Sequence, residues 1–378
     1  MRTKFSLLLL LLLAGCLLIA GCLPGTSGAL GCGGTPPSGW SGPVVGNDTL
    51  YVGTMTGQLI ALDEIDTPRA RTKWQYPPSD MQALGYIYST PFAVDDVAYF
   101  GTYDGKVYAI DTEHGWPVWD RYPQEGSLGS IIGSPVVADG VIFVGSADGN
   151  LYAIDAESGV DEWPPFETGD QVWGTPTVIN GIVYSGSFNG NLFALSAENG
   201  VPVWTQPFET GAAIGATPLV SNDTIYVGSF DRSFYAVNLD GTLKWRFDEG
   251  GNWYWAKALA YEDTIIVPCL DGRVYGLDAD TGTCIWHYPA EESVGAIRGD
   301  PALVGDVLVF GSEDGNLYAL EAATGKELWE YPPGDDVIDA IRAPIAGGED
   351  VVFFHASNEK VYAVDIDGRL RWSYVTGD

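Results

Sequence analysis

Basic residues are scarce. The 378-residue chain has 18 Lys and Arg against 50 Asp and Glu, a formal net charge of −32 at pH 7. A field of that sign repels polyphosphates, which argues against a nucleic acid partner. Only 18% of residues are charged while 46% are hydrophobic, so the chain is not a disordered acidic tail. Cysteine is sparse as well: five in all, and no pair has metal-ligand spacing. Cys269 and Cys284 share one repeat but fall on strands that should not be neighbours, and no disulfide is expected. The three histidines, His114, His287 and His355, show neither His-x-His nor His-x-x-x-His spacing for zinc. A Gly-Lys-Ser/Thr phosphate loop and a Gly-x-Ser-x-Gly elbow are both missing. Asp278-Ala279-Asp280-Thr281-Gly282 opens like a calcium loop, but it is short and lacks the distal bidentate Glu. It reads as a turn. No catalytic residue, metal or cofactor is nominated.

What the chain does have is 49 Gly, 23 Pro, 13 Trp and 20 Tyr, a composition of short strands joined by tight turns. Its N-terminus reads as an address label. Arg2 and Lys4 precede an apolar run from Phe5 to Gly21, broken only by Ser6, that ends Ile19-Ala20-Gly21-Cys22. This resembles the lipobox of bacterial lipoproteins, which implies a leader over 1–21 and diacylation of Cys22. Leu13-Ala14-Gly15-Cys16 matches the same pattern, but a cut there would leave Leu17-Leu18-Ile19 exposed. An uncleaved membrane anchor is the alternative, since the run is about long enough to span a bilayer. Residues 22–39, rich in Gly, Ser and Pro, read as a flexible tether, and 40–378 as one repeat domain.

Eight copies of one pattern occupy that domain. Residues 145–163 (GSADGNLYAIDAESGVDEW), 186–204 (GSFNGNLFALSAENGVPVW) and 311–329 (GSEDGNLYALEAATGKELW) show it most clearly. The copies end on Trp74, Trp119, Trp163, Trp204, Trp245, Trp286, Trp329 and Trp372, spaced 41–45 residues apart. Within each period a Pro-led strand A, an alternating strand B, an Asp-Gly or Asn-Gly turn, strand C and a Trp-bearing strand D follow in order. A four-stranded antiparallel unit repeated eight times predicts an all-β, eight-bladed β-propeller. All eight sets look complete, so an exchanged terminal strand is not required.

The spacing Ala-x-Asp-x-x-x-Gly-x-x-x-Trp holds at Ala109/Asp111/Gly115/Trp119 and Ala153/Asp155/Gly159/Trp163, with close variants in the other copies. It resembles the repeat of the PQQ-type β-propeller family, and the likeness spans residues 43–375. The resemblance implies that the eight tryptophans wedge between blades and are structural. It also raises a quinone-dependent dehydrogenase with Ca²⁺, but the adjacent cysteine pair of the alcohol-oxidising members is missing. The whole layout is similar to that of the BamB-like outer-membrane assembly lipoproteins. That likeness implies a non-enzymatic, monomeric, lipid-anchored scaffold outside the cytoplasm, binding protein partners such as an assembly subunit. The membrane would be the outer membrane facing the periplasm, or the cell surface where no outer membrane exists. A ligand-binding propeller is the third reading.

Strand order places the D–A connections and B–C turns on one face, and this face carries the variation. Three residues before the start of strand A lie Trp40, Tyr88, Ile132, Trp173, Gly215, Trp255, Arg298 and Ile341. Trp253 and Tyr254 add aromatics, and Arg342 adds a second arginine. Trp40, Tyr88, Trp173, Trp253, Tyr254, Trp255, Arg298 and Arg342 are therefore candidate interface residues. The competing expectation is a channel plug in which the arginines neutralise Asp300 and Asp339.

Overall fold

The computed structural model describes residues 41–63, 65–67, 69–332 and 338–377. Cys16, Cys22, Cys32, the tether and Trp40 lie outside the described residues. Eight sheets, each of four consecutive antiparallel strands, form an eight-bladed β-propeller. Blade 3 is representative: β9 (Val136–Ala138), β10 (Val141–Gly145), β11 (Asn150–Asp155) and β12 (Asp161–Glu167) pair in that order. The first strands of the blades lie innermost. β1 (Val44–Gly46) adjoins β5 (Phe92–Val94), and at the seam β1 also adjoins β29 (Ala346–Gly347) of the last blade. Among the described residues each sheet takes its four strands from a single repeat.

The core lies between blades. Ile142, Val144, Tyr152 and Ile154 of blade 3 pack on Tyr99, Val107, Ala109 and Tyr122 of blade 2. The repeat residues make that packing possible. In seven blades the tryptophan stands across the ladder from a small residue, as Trp119 does from Ala109 and Trp163 from Ala153. Its indole then reaches the C–D turn of the following blade. Trp119 Nε1 donates to Ala156 O at 3.1 Å, and Trp245 Nε1 to Ala279 O at 3.0 Å. At that turn a glycine lies against the ring: Gly159 has φ +68°, and a Cβ there would come within 2.8 Å of Trp119. The motif aspartate caps the same turn, as where Asp155 Oδ1 accepts Ser158 N–H at 2.8 Å. Asp278 does likewise, accepting the Thr281 N–H at 2.8 Å and hydroxyl at 2.7 Å, which makes the calcium-like stretch a turn.

Blade 4 departs from the sequence expectation. Its outer strand is reduced to Phe208–Glu209, and Trp204 lies outside it, joined only by an isolated Leu195–Pro202 bridge. Pro202 and Pro207 have no N–H to give to the ladder, so the strand breaks around them. Cys269 and Cys284 are free thiols. Among the described residues no helix is long and apolar enough to cross a membrane.

Candidate functional site: one mouth of the central channel

The B–C turns and D–A connections share one face and are tied together. Val172 N–H donates to Ser146 O and Phe188 N–H to Gln171 O. The A–B and C–D turns meet on the other face, where Ala156 N–H donates to Gly140 O. The first face is built in a repeated way. Five residues before the first strand of a blade, a bulky apolar side chain (Ile87, Ile131, Val172, Ile214) is fully buried over the glycine that ends strand B of the preceding blade. The following residue is half-buried at the channel mouth and meets the variable residue of the Gly-Ser/Thr-x turn in its own blade, fifteen positions later. Tyr88 packs on Tyr103, Trp173 on Phe188, Arg298 on Glu313, and Arg342 on Ser357.

This register corrects the count from proline in the last blade. Ile341 is fully buried beside Gly311, so Arg342 takes the ring position that counting back from Pro344 gives to Ile341. Tyr254 is corrected too. It occupies the buried position over Gly228, is 0% exposed, and belongs to the core between blades 5 and 6. Burial pushes its phenol far up, and the hydroxyl has no hydrogen-bond partner. Tyr254 is therefore not part of the mouth surface.

The mouth divides into sectors. Over blades 4–6, Trp173, Phe188, Phe230, Trp253 and Trp255 form one aromatic cluster. Phe230 stacks on Trp253 (4.6 Å between centroids, 8° between planes) and on Trp255 (5.4 Å, 16°). Trp173 meets Trp255 edge-on at 6.0 Å across the blade between them. Gly215 leaves room for the phenylalanines of the cluster, since a Cβ there would come within 3.0 Å of Phe230 and 3.4 Å of Phe188. Over blades 1–2 lies a more open patch of Tyr86 (42% exposed), Tyr103 (44%) and Met81 (63%).

Over blades 7–8 the two arginines converge on one carboxylate. Arg298 Nε and Arg342 Nε lie 2.7 and 2.8 Å from the same oxygen of Glu313, and Arg342 Nη1 donates to Ser357 Oγ at 2.9 Å. Burial alone would push Glu313 up; hydrogen bonds from Arg342 and Arg298 outweigh it and hold the carboxyl below its usual range. The expectation that Asp300 and Asp339 neutralise the arginines is therefore wrong. Asp300 instead accepts Lys257 N–H at 2.7 Å. Phe188, Phe230, Tyr103 and Glu313 were not nominated by the sequence reading. The signal was present: x is the most variable position in Gly-Ser/Thr-x-Asp/Asn-Gly.

Beside the aromatic cluster an open groove of about 430 Å³ is lined by Asp148, Glu167, Asp170 and Gln171. Asp148 is already committed there, accepting Tyr152 O–H at 2.8 Å and Gly129 N–H at 3.2 Å. Among the described residues no group of three or more His, Cys, Asp or Glu is placed to hold a metal ion. Glu313, the carboxylate at the mouth, has one oxygen shared between two guanidinium groups. That donor set does not fit a calcium-bound quinone.

A profile of the family described as outer membrane protein assembly factor BamB matches residues 33–163, 165–295 and 270–378. The chain belongs to this family. No curated protein matches the chain. Among solved structures, BamB from Moraxella catarrhalis superposes with a TM-score of 0.66 at 20% identity, over 86% of this chain and 93% of that one. The computationally designed protein Ika8 gives 0.71 at 16% identity, over 88% and 97%. A europium-containing methanol dehydrogenase gives 0.65 at 15% identity, over 87% and 82%. At these identities the three structures share the fold with this BamB-family chain, and the fold alone.

Proposed function

We propose that the protein is an extracytoplasmic scaffold, anchored through a diacylated Cys22 after removal of residues 1–21, that holds protein partners on the channel mouth and acts by binding rather than catalysis. The observation that carries this reading is the asymmetry between the two faces. One is short turns capped by their own aspartates; the other gathers Trp, Tyr and Phe side chains partly open to solvent beside two largely buried arginines, residue types enriched in interface hot spots. Family membership supports assembly of outer-membrane proteins as the process served, with a subunit of that machinery as the partner.

The test is site-specific photocrosslinking in intact membranes. A photoreactive residue at Tyr103, exposed on the mouth face, is expected to capture a defined membrane-assembly subunit. The same residue at Trp116, 67% exposed in a C–D turn of the other face, is the control. Equal capture from both positions, or capture from Trp116 alone, would overturn the assignment of the mouth.

A further inference from the structure

One backbone bond recurs around the channel mouth. The variable residue of each B–C turn donates its N–H to the connection beside it, as Tyr103 does to Tyr86 O, Glu313 to Ala296 O and Ser357 to Ala340 O. These bonds bring together the two mouth positions of each blade, so what those positions carry is what a partner meets. In blades 2 to 6 both are uncharged, from Tyr88 and Tyr103 round to Trp255 and Leu270. Among the described mouth positions, charge enters only in blades 7 and 8, as Arg298, Glu313 and Arg342.

That sector is cationic. Two guanidinium groups share a single carboxylate oxygen, at 2.7 and 2.8 Å, with side chains only 10% (Arg298) and 23% (Arg342) exposed. Among the described residues neither arginine has a second ion pair. The neighbouring carboxylates are otherwise engaged. Asp314 accepts the Tyr318 hydroxyl and Gly295 N–H, and Asp300 accepts Lys257 N–H while burial favours its neutral form. One positive charge is therefore left over, largely withdrawn from water, where a charge-assisted bond to a second carboxylate is strongest. Water can solvate that charge but not neutralise it.

We infer that the partner held at the mouth presents an Asp or Glu side chain, flanked by apolar residues, to Arg342 and Arg298. The flanks follow from the order around the ring: the sector lies between the aromatic cluster, which ends at Trp255 in blade 6, and the patch of Tyr86 and Tyr103 over blades 1–2. Arg342, the more exposed of the pair, makes the first contact. A polyanion or an anionic lipid surface is disfavoured, because the field of a chain of net charge −32 repels it as a whole. A single carboxylate on an otherwise apolar segment meets far less of that repulsion. The inference rests on the reading of the mouth as the partner-binding face.

The test compares photocapture from Tyr103, in intact membranes, between full-length variants of opposite charge. Arg342→Gln is expected to lower capture by about tenfold, and Glu313→Gln, which frees a second positive charge, to raise it. Damage to the mouth alone would lower both. If Glu313→Gln does not fold, one position decides: Arg342→Lys should capture near the wild-type level and Arg342→Glu should capture almost nothing. Changing the acidic residue in the crosslinked segment of the partner to Lys should restore capture by Arg342→Glu. Undiminished capture in Arg342→Gln and Arg342→Glu would overturn the inference and leave the mouth as the binding face. A lipid adduct at Tyr103 in place of a protein one would also overturn it. No capture from Tyr103 in the wild type would instead remove the reading of the mouth, and this inference with it.

Discussion

His355 stands where six other blades end strand B in glycine, among them Gly101, Gly145 and Gly311. It is 2% exposed in the seam between the last blade and the first, with Nδ1 3.3 Å from Ser41 O and Nε2 3.1 Å from Thr376 Oγ1. Burial lowers its pKa to about 4, against a smaller upward pull from the Ser41 carbonyl. The unfolded chain, with an ordinary imidazole near 6.5, therefore binds the proton first as pH falls. Its stabilising contribution is complete above about pH 6.5 and is lost down to about pH 4, by up to about 3 kcal/mol. Urea midpoints of wild type should fall between pH 7 and 4.5, and His355→Gln should flatten that slope. An unchanged slope would rule out His355 as its source. The blade tryptophans offer a second comparison at this scale. Seven indoles donate to a carbonyl of the adjoining blade, whereas Trp286 Nε1 is buried with no partner. Gly276 replaces alanine across the ladder, and the indole fills the space a Cβ would need, at 2.2 Å. Trp245→Phe should thus cost about 1 kcal/mol more than Trp286→Phe in chemical denaturation.

At the scale of the strand and its connection, the repeated Gly-Ser/Thr has a steric cause. The glycine ending strand B is where the next D–A connection crosses the blade. At Gly145 a Cβ would lie 2.2 Å from Val172 Cγ1 and 3.0 Å from Val172 O. Gly145→Ala is expected to destabilise by about 1–3 kcal/mol, an overpacking cost. Adding Val172→Ala should recover part of it, because the shortest overlap is with the valine methyl and the backbone contact remains. Strictly additive effects in the double-mutant cycle would refute the clash as the cause. The aspartates are read at this scale too. Asp148, Asp231, Asp271 and Asp314 each accept a tyrosine hydroxyl four residues on and an N–H of the connection that leads into their own blade, and Asp155 and Asp278 cap C–D turns. Much of the acidity is turn chemistry recurring around the ring, not an anionic binding face.

For the whole molecule, closure is non-covalent. Trp372 Nε1 donates to Ile65 O at 2.8 Å, the Tyr374 hydroxyl meets Thr72 Oγ1 at 2.6 Å, and Val351, Phe353 and Trp372 pack on Leu50, Val52 and Ile65. Acid should open the ring in two stages. His355 acts first, from about pH 6.5 downward. The turn carboxylates act later: hydrogen bonds from Ser158 and Thr281 hold Asp155 and Asp278 below the usual range, so their contribution is lost only as pH falls below the ordinary carboxylate values. Near-UV circular dichroism against pH should show both stages in wild type and only the second in His355→Gln. At the other end of the chain, Cys22→Ser is expected to move the protein from the membrane to the soluble fraction. Retention at the membrane would discount Cys22 as the lipid attachment point.

Repetition made the architecture legible from sequence. An eightfold pattern of Trp, Gly and Asp at a spacing of 41–45 residues leaves little choice but a ring of four-stranded blades, because each copy solves the same local packing problem. The reading of the mouth was legible only in outline. Which of two adjacent residues turns to the axis is set by its distance from the first strand, five residues from the buried side chain in the last blade as elsewhere, but Pro344 sits one position earlier than the other prolines, so counting from proline put Ile341 where Arg342 belongs. Tyr254 looked like a neighbour of Trp253 and Trp255 along the chain, yet alternation of the connection sends it into the core. The pairing of both arginines with Glu313 joins residues from separate blades. No local pattern encodes that meeting, since it exists only once the ring has closed and brought the blades to a common axis.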